Sequence, residues 1–377
     1  MNQDEIPPYQ LQQLIATVIE ESWGSSDSRP IVTCAQALGS EIYIGCSNGE
    51  LLRFVLQGQD DNSHDTQPCQ PGSYSLLSRQ NIPNNKAVDE LVLVPSISRV
   101  LILSDRQLFF YTLPALDMVP SNIIKPLRNV ITFAADEQHM RRPPPRPDAP
   151  PQGDPIDFCI IKRSSISLFT LKDKLFFQKD IPLPSGATLA RRTGRHLCVA
   201  DHDNYNMIDL DAGLLFPLLP LSQAPDAAPV KPSITVIGDN EFLILSWTGA
   251  STLGVFITGE GDPVRGTLEW TTHPVHVACD YPHVTSLLSD NTIQIHNAET
   301  QAIVQIIPAP ATATGIPKAL ICCVGGFFVP SMQRKEKLRP VPIKLRRRSA
   351  KPDTAAEKKE VAVVPQEEDI PDDLSAL

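Results

Sequence analysis

The sequence predicts an all-β fold: a seven-bladed β-propeller closed by an N-terminal strand and followed by a disordered tail. Apolar residues mostly alternate with polar ones over four to eight positions, which is the pattern of a strand. One short hairpin unit recurs seven times along the chain. The 377 residues include 36 prolines, a share that disfavours long helices and favours a turn-rich, strand-rich chain.

Each predicted hairpin joins a short apolar strand to an alternating strand through a few small or polar residues. Such residues suit tight turns because they adopt positive φ or cap their own backbone. The seven hairpins are predicted at residues 42–56, 100–113, 158–171, 197–210, 242–257, 284–296 and 320–329.

Further strands flank most of these hairpins. They are predicted before a hairpin at residues 31–37, 89–94, 130–134 and 275–279, and after one at 174–181, 214–219, 268–270 and 303–307. Four strands repeated at this period indicate propeller blades, which hide their sheet edges by radial packing. The alternative is a pair of stacked β-sandwiches. The G-H…W-D pattern of WD repeats is missing.

The two ends of the chain complete the predicted ring. After the last hairpin the composition turns basic and prolyl, so the last blade lacks an outer strand. We expect the apolar stretch Leu11–Ile19 to supply it, as a strand beside the last hairpin rather than a helix, because an unpaired edge would otherwise remain. The propeller is therefore predicted at 1–330.

The remaining segments are predicted as loops and a tail. Gln57–Gly72 is polar, and the proline-rich His139–Pro155 should be extended. Residues 331–360 hold eleven Lys/Arg against four acids, and residues 361–377 hold five acids and no base. A segment this polar cannot form a core, so the tail at 331–377 is expected to be disordered.

Composition restricts the classes of function. The formal net charge of -10 disfavours binding of nucleic acid by the body of the protein. The acidic N-terminus lacks the layout of a signal peptide, and the longest apolar stretches are too short or too broken to cross a bilayer. The cysteines form no C-x-x-C, which is typical of reduced intracellular thiols. They are Cys34, Cys46, Cys69, Cys159, Cys198, Cys279, Cys322 and Cys323.

No enzyme motif is found, so we predict no catalytic, cofactor-binding or metal-binding residues. The G-x-S-x-G elbow, a Gly-rich phosphate loop and H-E-x-x-H are all missing. His196 and His202 flank Cys198, but nothing supplies a third orienting group, so a buried thiol is the better interpretation. Acidic residues recur at matching turns of the predicted blades, which favours a role in capping the hairpins over acid–base chemistry. These residues are Asp105, Asp201, Asp203 and Asp290.

One cluster has the composition of a metal site. On a helix, His273, His276 and Cys279, with His283 nearby, would share a face. Pro274 and the alternating valines favour a strand instead, where a spacing of three places neighbouring side chains on opposite faces. These residues are therefore predicted to be ordinary strand residues.

Two motifs lie outside the predicted strands. The polybasic run of Lys344, Arg346, Arg347 and Arg348 precedes Ser349. It fits an anionic-membrane contact, a nuclear address, a kinase site or a solvated linker. Residues 143–147 fit either a passive loop or a ligand for a proline-binding module.

The second half of the chain carries a family resemblance. Its order of motifs resembles the citron homology (CNH) domain and, more narrowly, the N-terminal domain of vacuolar sorting proteins related to the transforming-growth-factor-β receptor-associated protein. Gly261–Trp270 is its most specific part. The other motifs are residues 241–245, 254–256, 281–284, 293–297 and 301–308, supported in the first half by 42–45, 49–51, 101–105, 132–134 and 158–163.

The resemblance implies a function as well as a seven-bladed fold. It implies a non-enzymatic subunit of a CORVET-type endosomal tethering complex whose propeller binds a Rab GTPase. A long α-solenoid builds the complex core in that family, and the residues up to Leu377 do not include one. We expect a cytoplasmic protein that is peripheral on endosomal or vacuolar membranes through its partners, aided by Lys344, Arg346, Arg347 and Arg348.

Three alternatives to this function stay open. One is a late-endosomal HOPS-type subunit, and another is a citron-homology regulator of Rho or kinase signalling. The third is a propeller hydrolase, which would need acidic and histidine side chains to converge on the innermost strands. No motif is sharp enough to assign the GTPase contact to numbered residues.

Overall fold

The computed structural model describes residues 9–13, 30–38, 41–56, 74–142, 153–224, 229–309, 321–323, 326–331 and 341–347. The described strands pair into seven four-stranded sheets, in which every pair of neighbouring strands is antiparallel. No helix in these ranges has both the length and the apolar character needed to span a bilayer. The all-β propeller is therefore confirmed, and the stacked sandwiches are not found.

Six sheets, which we call blades 1 to 6, are each built from four consecutive strands. Blade 1 contains β2 (Val32–Leu38), β3 (Glu41–Cys46), β4 (Glu50–Leu56) and β5 (Tyr74–Asn81). Blade 2 contains β6 (Glu90–Val94), β7 (Arg99–Ser104), β8 (Gln107–Thr112) and β9 (Leu127–Arg128). Blade 3 contains β10 (Thr132–Ala135), β11 (Ile156–Ile161), β12 (Ser165–Leu171) and β13 (Leu175–Pro182).

The second half repeats this arrangement. Blade 4 contains β14 (Leu189–Thr193), β15 (His196–Ala200), β16 (Asn204–Asp209) and β17 (Leu214–Pro220). Blade 5 contains β18 (Ile234–Gly238), β19 (Glu241–Trp247), β20 (Thr252–Thr258) and β21 (Leu268–Trp270). Blade 6 contains β22 (His276–Asp280), β23 (His283–Leu287), β24 (Ile293–Asn297) and β25 (Ile303–Ile307).

The first strand of each blade lies innermost. Inner strands of neighbouring blades contact one another, as β2 contacts β6 and β14 contacts β18. Because successive strands are antiparallel, the turns between strands 1 and 2 and between strands 3 and 4 lie on one side, which we call the upper face. The turns between strands 2 and 3 lie on the opposite side, the lower face.

The hydrophobic core lies between the blades. One cluster joins Tyr43 of blade 1 to Ile102 of blade 2, and another joins Phe110 of blade 2 to Phe158 of blade 3. Strands that pack on both faces need apolar residues at every position, which explains the continuous apolar run of Leu197–Ala200. The first six predicted hairpins are confirmed as the second and third strands of their blades.

The seventh sheet takes its strands from both ends of the chain. Its order is β1 (Tyr9–Gln13), β28 (Val341–Arg347), β27 (Gly326–Ser331) and β26 (Ile321–Cys323). The last predicted hairpin is confirmed as β26 and β27, but these are the first two strands of their sheet. Inner strand β26 contacts both β22 and β2.

This sheet corrects two predictions. The N-terminal segment does supply the outermost strand, but the described strand begins at Tyr9 and pairs with β28 instead of the last hairpin. Residues 14–19 lie outside the described residues. The disorder predicted for the tail is wrong for Val341–Arg347, because pairing with β27 and β1 satisfies the backbone of this strand from both sides. The rest of the tail from residue 332 lies outside the described ranges.

The long loops are described only in part. Gln57–Gly72 lies outside the described residues, as do 143–152 of the proline-rich segment. The prediction that this segment is extended from His139 is wrong at its start. A short helix, α1 (Glu137–Met140), includes His139 and Met140, and it begins at Glu137 because Asp136 caps it by accepting a hydrogen bond from the Gln138 backbone N–H at 3.0 Å.

Candidate functional site

The inner strands surround a central cavity of about 580 Å³. Its lining includes Glu90 from blade 2, Arg191 from blade 4 and His276 from blade 6, together with Glu137 from α1. Arg191 Nη1 lies 3.4 Å from Glu90 Oε1. The inner strands therefore carry both acidic and histidine side chains, which is the condition set for a propeller hydrolase.

Burial determines the charge state of these groups. It raises the pKa of both Glu90 and Glu137, while the positive charge of Arg191 opposes the rise in each case. Burial also lowers the pKa of His276 to about 4, so this imidazole is neutral at pH 7. The cavity thus combines a neutral imidazole, His276, with the Arg191 cation, which acts on two carboxyl groups, and with the cations Arg141 and Lys231.

Two candidate nucleophiles at the cavity, Thr33 and Cys34, are hydrogen-bonded to the backbone. The Thr33 hydroxyl donates to the Val88 carbonyl at 2.6 Å, and the Cys34 thiol donates to the same carbonyl at 3.8 Å. Burial raises the pKa of Cys34 to about 12, which keeps the thiol protonated. Neither group is paired with a base, so the pairing of nucleophile and base that nucleophilic catalysis requires is not formed by Thr33 or Cys34.

The structure separates the residues around Cys198. Cys198 is buried among the apolar residues between blades 4 and 5, and burial raises its pKa. His202 lies in an exposed turn and pairs with Asp203 at 2.7 Å. His196 is buried near the upper face, with Nε2 3.5 Å from Glu260 Oε1. These three residues therefore do not form a catalytic set.

The cluster of metal-ligand type is divided between segments. His276 and Cys279 lie on β22 and His283 begins β23, whereas His273 precedes the blade. The two ring nitrogens of His273 lie 3.1 Å from the Thr252 hydroxyl and 2.9 Å from the Lys231 carbonyl. In the part of the chain that the structure describes, no group of three or more metal-ligating side chains is found.

The acidic turn residues differ in what they do. Asp201 Oδ1 accepts from the backbone N–H of Asp203 and of Asn204 at 2.8 and 2.7 Å, and Asp290 Oδ1 accepts from that of Thr292 at 2.8 Å. Hairpin capping is therefore confirmed for Asp201 and Asp290. Asp105 adopts a positive φ of 47° in its turn, and the side chain of Asp203 pairs with His202 instead.

The polybasic run is placed on a strand. Lys344, Arg346 and Arg347 belong to β28, opposite Gln12, Gln10 and Tyr9 of β1. Arg348 and the motif at 143–147 lie outside the described residues.

The segment Gly261–Trp270 joins blades 5 and 6 at the upper face. Arg265 donates from Nε and Nη2 to the two carboxylate oxygens of Glu241, at 2.6 and 3.1 Å. Its guanidinium carbon lies 5.5 Å from the centre of the Tyr281 ring, and the Tyr281 hydroxyl donates to Glu299 at 2.7 Å. The bonds to Glu241 raise the pKa of Arg265 and fix the turn.

The end of this segment is anchored in the core. Trp270 is buried, and its Nε1 donates to the Ser286 hydroxyl at 2.8 Å. Its ring meets the His296 ring edge to face, with centroids 5.0 Å apart. These contacts connect the outer strand of blade 5 to the middle strands of blade 6.

A second polar network joins blades 4 and 5 at the same face. Arg195 Nη2 donates to Glu260 Oε1 at 3.3 Å, and Asn240 Nδ2 donates to Glu260 Oε2 at 2.9 Å. The bond from Asn240 lowers the pKa of Glu260, so this carboxylate is charged at pH 7. Arg265 and Tyr281 lie within the family-like segments 261–270 and 281–284, but the sequence alone assigns neither of them a role. The Arg–Tyr composition of the turns was the available signal, since these residues are enriched at interfaces.

Comparisons with known proteins agree with this architecture. A family model described as the CNH domain matches residues 39–314. Transforming growth factor-beta receptor-associated protein 1 of Bos taurus is 25% identical over 302 residues, covering 78% of this chain and 32% of that protein. Vacuolar protein sorting-associated protein 3 of Saccharomyces cerevisiae is 22% identical over 292 residues, covering 75% and 26%. The chain thus spans about a third or less of these relatives.

Solved structures share the fold. The AfRom2 CNH domain superposes with a TM-score of 0.55 at 15% identity, covering 89% of this chain and 98% of that one. The WD40 domain of Neurospora crassa Pan2 gives 0.57 at 7% identity, covering 90% and 96%. At these low sequence identities, both similarities show a shared fold and nothing about function. Because the family model matches most of the sequence, the chain belongs to the CNH domain family.

Proposed function

We propose that this propeller is a non-enzymatic protein-interaction module of an endosomal, CORVET-like tethering complex. In this role it binds a Rab GTPase during transport between endosome and vacuole. The observation that carries the proposal is that about three quarters of the chain is similar to a protein named for vacuolar sorting. The match to transforming growth factor-beta receptor-associated protein 1 supports it over the same share of the chain.

The chemistry of the described residues supports a binding role. The Cys198 thiol is buried, its pKa is raised, and the two nearby histidines lie apart from each other. By contrast, the upper face carries Arg265, held by its ion pair with Glu241, and Tyr281, held by a hydrogen bond to Glu299 and by the guanidinium over its ring. Preorganised arginine and tyrosine are typical of protein interfaces.

The proposed location follows from the proposed partners. The protein acts in the cytoplasm and reaches endosomal or vacuolar membranes through its GTPase and other tethering subunits. Lys344, Arg346, Arg347 and Arg348 add attraction to an anionic surface. Nucleic acid is not among the partners, since the chain carries a formal charge of -10.

We also propose that the sheet formed by both chain ends acts as a seventh blade that closes the propeller. Contacts of β26 with β22 and with β2 support this closure. The boundary predicted at residue 330 would then move, because β28 belongs to the ring while lying in the predicted tail.

The test is a pull-down of the full chain with purified endosomal Rab GTPases, each loaded with a GTP analogue or with GDP. Enrichment on one GTP-loaded Rab is expected, and the identity of that Rab separates an early, CORVET-like role from a late, HOPS-type one. Rho-family GTPases serve as the control, and capture of one of them would favour a signalling regulator. If neither a GTP-loaded Rab nor any tethering subunit is retained, the proposal fails.

A further inference from the structure

Several apolar side chains are exposed at the upper face of blades 4 to 6, and three of them lie at turns that contact one another. Leu214, Val264 and Tyr281 are 66%, 47% and 46% exposed. We call these three residues the apolar patch. Exposed apolar groups that lie together on a polar surface indicate a binding site for another molecule.

Contacts between turns bring the patch together. Side chains two residues apart share a strand face, so Leu214 lies on the same face of β17 as Phe216. Phe216 packs against the Gly261 turn so closely that a Cβ at Gly261 would lie 2.9 Å from Phe216 Cε2. Val264 lies in this turn, next to Arg265, whose guanidinium lies over Tyr281.

The surroundings of the patch are strongly acidic. The upper-face turns of blades 4 to 6 are residues 193–196, 209–213, 238–241, 259–267, 280–283 and 297–302. They hold eight acidic residues and two arginines. Both arginines are already engaged, Arg265 with Glu241 and Arg195 with Asp209 and Glu260.

Several carboxylates are left to face outward. Asp211, Asp239 and Asp262 are exposed and form no ion pair with any residue that the structure describes. The exposed Glu299 accepts one hydrogen bond, from the Tyr281 hydroxyl. The only charged residues in the described lower-face turns of the same blades are Asp201, Asp203 and Asp290. The described part of the segment that connects blades 4 and 5 adds Lys231. The negative field is therefore concentrated around the apolar patch.

We infer that the upper face of blades 4 to 6 docks a basic segment of a protein partner, with apolar side chains of that segment seated on Leu214, Val264 and Tyr281. Charge complementarity indicates that the bound segment is basic, because the carboxylates without an ion pair attract arginine and lysine side chains and repel acidic ones. The inference rests on the proposed function only in taking the propeller to be a protein-binding module.

The experiment measures binding of a fluorescein-labelled, twelve-residue peptide of alternating Arg and Leu to the full chain by fluorescence anisotropy. A peptide with Glu in place of Arg is the negative probe. The wild-type protein should bind the Arg peptide but not the Glu peptide, and this binding should weaken as the salt concentration is raised. The triple variant D211N/D262N/E299Q should raise the Kd roughly tenfold, since each lost charge pair weakens binding modestly.

Matched variants show whether the effect belongs to this face. D201N/D203N/D290N removes the same charge from the lower face and retains the capping oxygens, so its Kd should change less than about twofold. L214S/V264S should raise the Kd roughly threefold, whereas L77S/I306S, which alters equally exposed residues elsewhere, should not. No binding by wild type, or equal weakening by both triple variants, would overturn the inference.

The Rab pull-down, repeated with the two triple variants, separates this inference from the proposed function. If a Rab is captured and both triple variants bind it equally well, the proposed function is supported and the inferred docking face is contradicted. If the upper-face variant alone weakens peptide binding and no Rab is captured, the docking face is supported and the proposed Rab partner is contradicted.

Discussion

Arg265 and Glu241 form a two-point ion pair across blade 5, with Nε and Nη2 donating to Oε1 and Oε2 at 2.6 and 3.1 Å. The side chains are 26% and 15% exposed, so solvent screens the pair only in part. The pair holds the Gly261–Trp270 segment, the most specific part of the family resemblance, against the start of β19. It also positions the guanidinium over Tyr281.

Arg265→Lys should lower the free energy of unfolding by about 1 kcal/mol, because an ammonium group cannot donate to both carboxylate oxygens in this geometry. Urea denaturation followed by tryptophan fluorescence measures the change. Arg163→Lys is the control, since Arg163 is exposed on the lower face, and it should stay within about 0.5 kcal/mol of wild type. Equal effects of the two substitutions would contradict the structural role of the pair.

Gly254→Ala should destabilise the protein by about 1–3 kcal/mol through overpacking. A Cβ at Gly254 would lie 2.7 Å from Trp270 Cζ3 and 3.1 Å from Leu243 Cδ1, both in the core between blades 5 and 6. Gly238→Ala is the matched control, because its nearest neighbour would lie 3.9 Å away. Thermal unfolding by circular dichroism should show a lower Tm for the first variant alone.

Four cysteines should resist alkylation in the native protein. Burial raises the pKa of Cys34 to about 12 and of Cys159 to about 11, and it raises those of Cys46 and Cys198 as well. At pH 8 these thiols should react with iodoacetamide at least about 100-fold more slowly than a free cysteine.

Peptide mapping by mass spectrometry measures the modification of each thiol. The same reaction in urea provides the control, since all four thiols should then react alike. Rapid labelling of Cys198 in the native protein would instead support the alternative that this residue is a reactive nucleophile.

His296 should make the protein less stable as the pH falls from about 6.5 towards 4. Burial lowers its folded-state pKa from 6.5 to about 4, so in that interval this residue binds up to one more proton in the unfolded chain than in the folded chain. Acidification therefore favours unfolding. The loss from this group should reach about 2 kcal/mol at pH 5.

His296→Asn removes the titrating group and isolates this effect. At pH 7 the variant should be less stable than wild type, because the ring contact with Trp270 is lost. The difference between the two proteins should shrink on going to pH 5, as measured by urea denaturation at both pH values. A constant difference would show that His296 does not titrate in this range.

The sequence by itself determined the strands and many of their turns. Alternation and continuous apolar runs depend on nearest neighbours along the chain, so segments such as 100–103 and 197–200 could be identified without knowing what packs on them. Turn chemistry is equally local, because Asp201 and Asp290 accept from backbone groups two or three residues away. The family resemblance added the fold and the class of function.

Only the tertiary structure decided how distant segments pair. Val341–Arg347 is basic and prolyl, and it becomes a strand because β27 and β1 lie on either side of it. The upper-face network likewise joins Glu241, Arg265, Tyr281 and Glu299, which come from four turns in two blades. A local pattern carries no information about such contacts, because their geometry is set by how the turns of a blade and of its neighbour pack against one another.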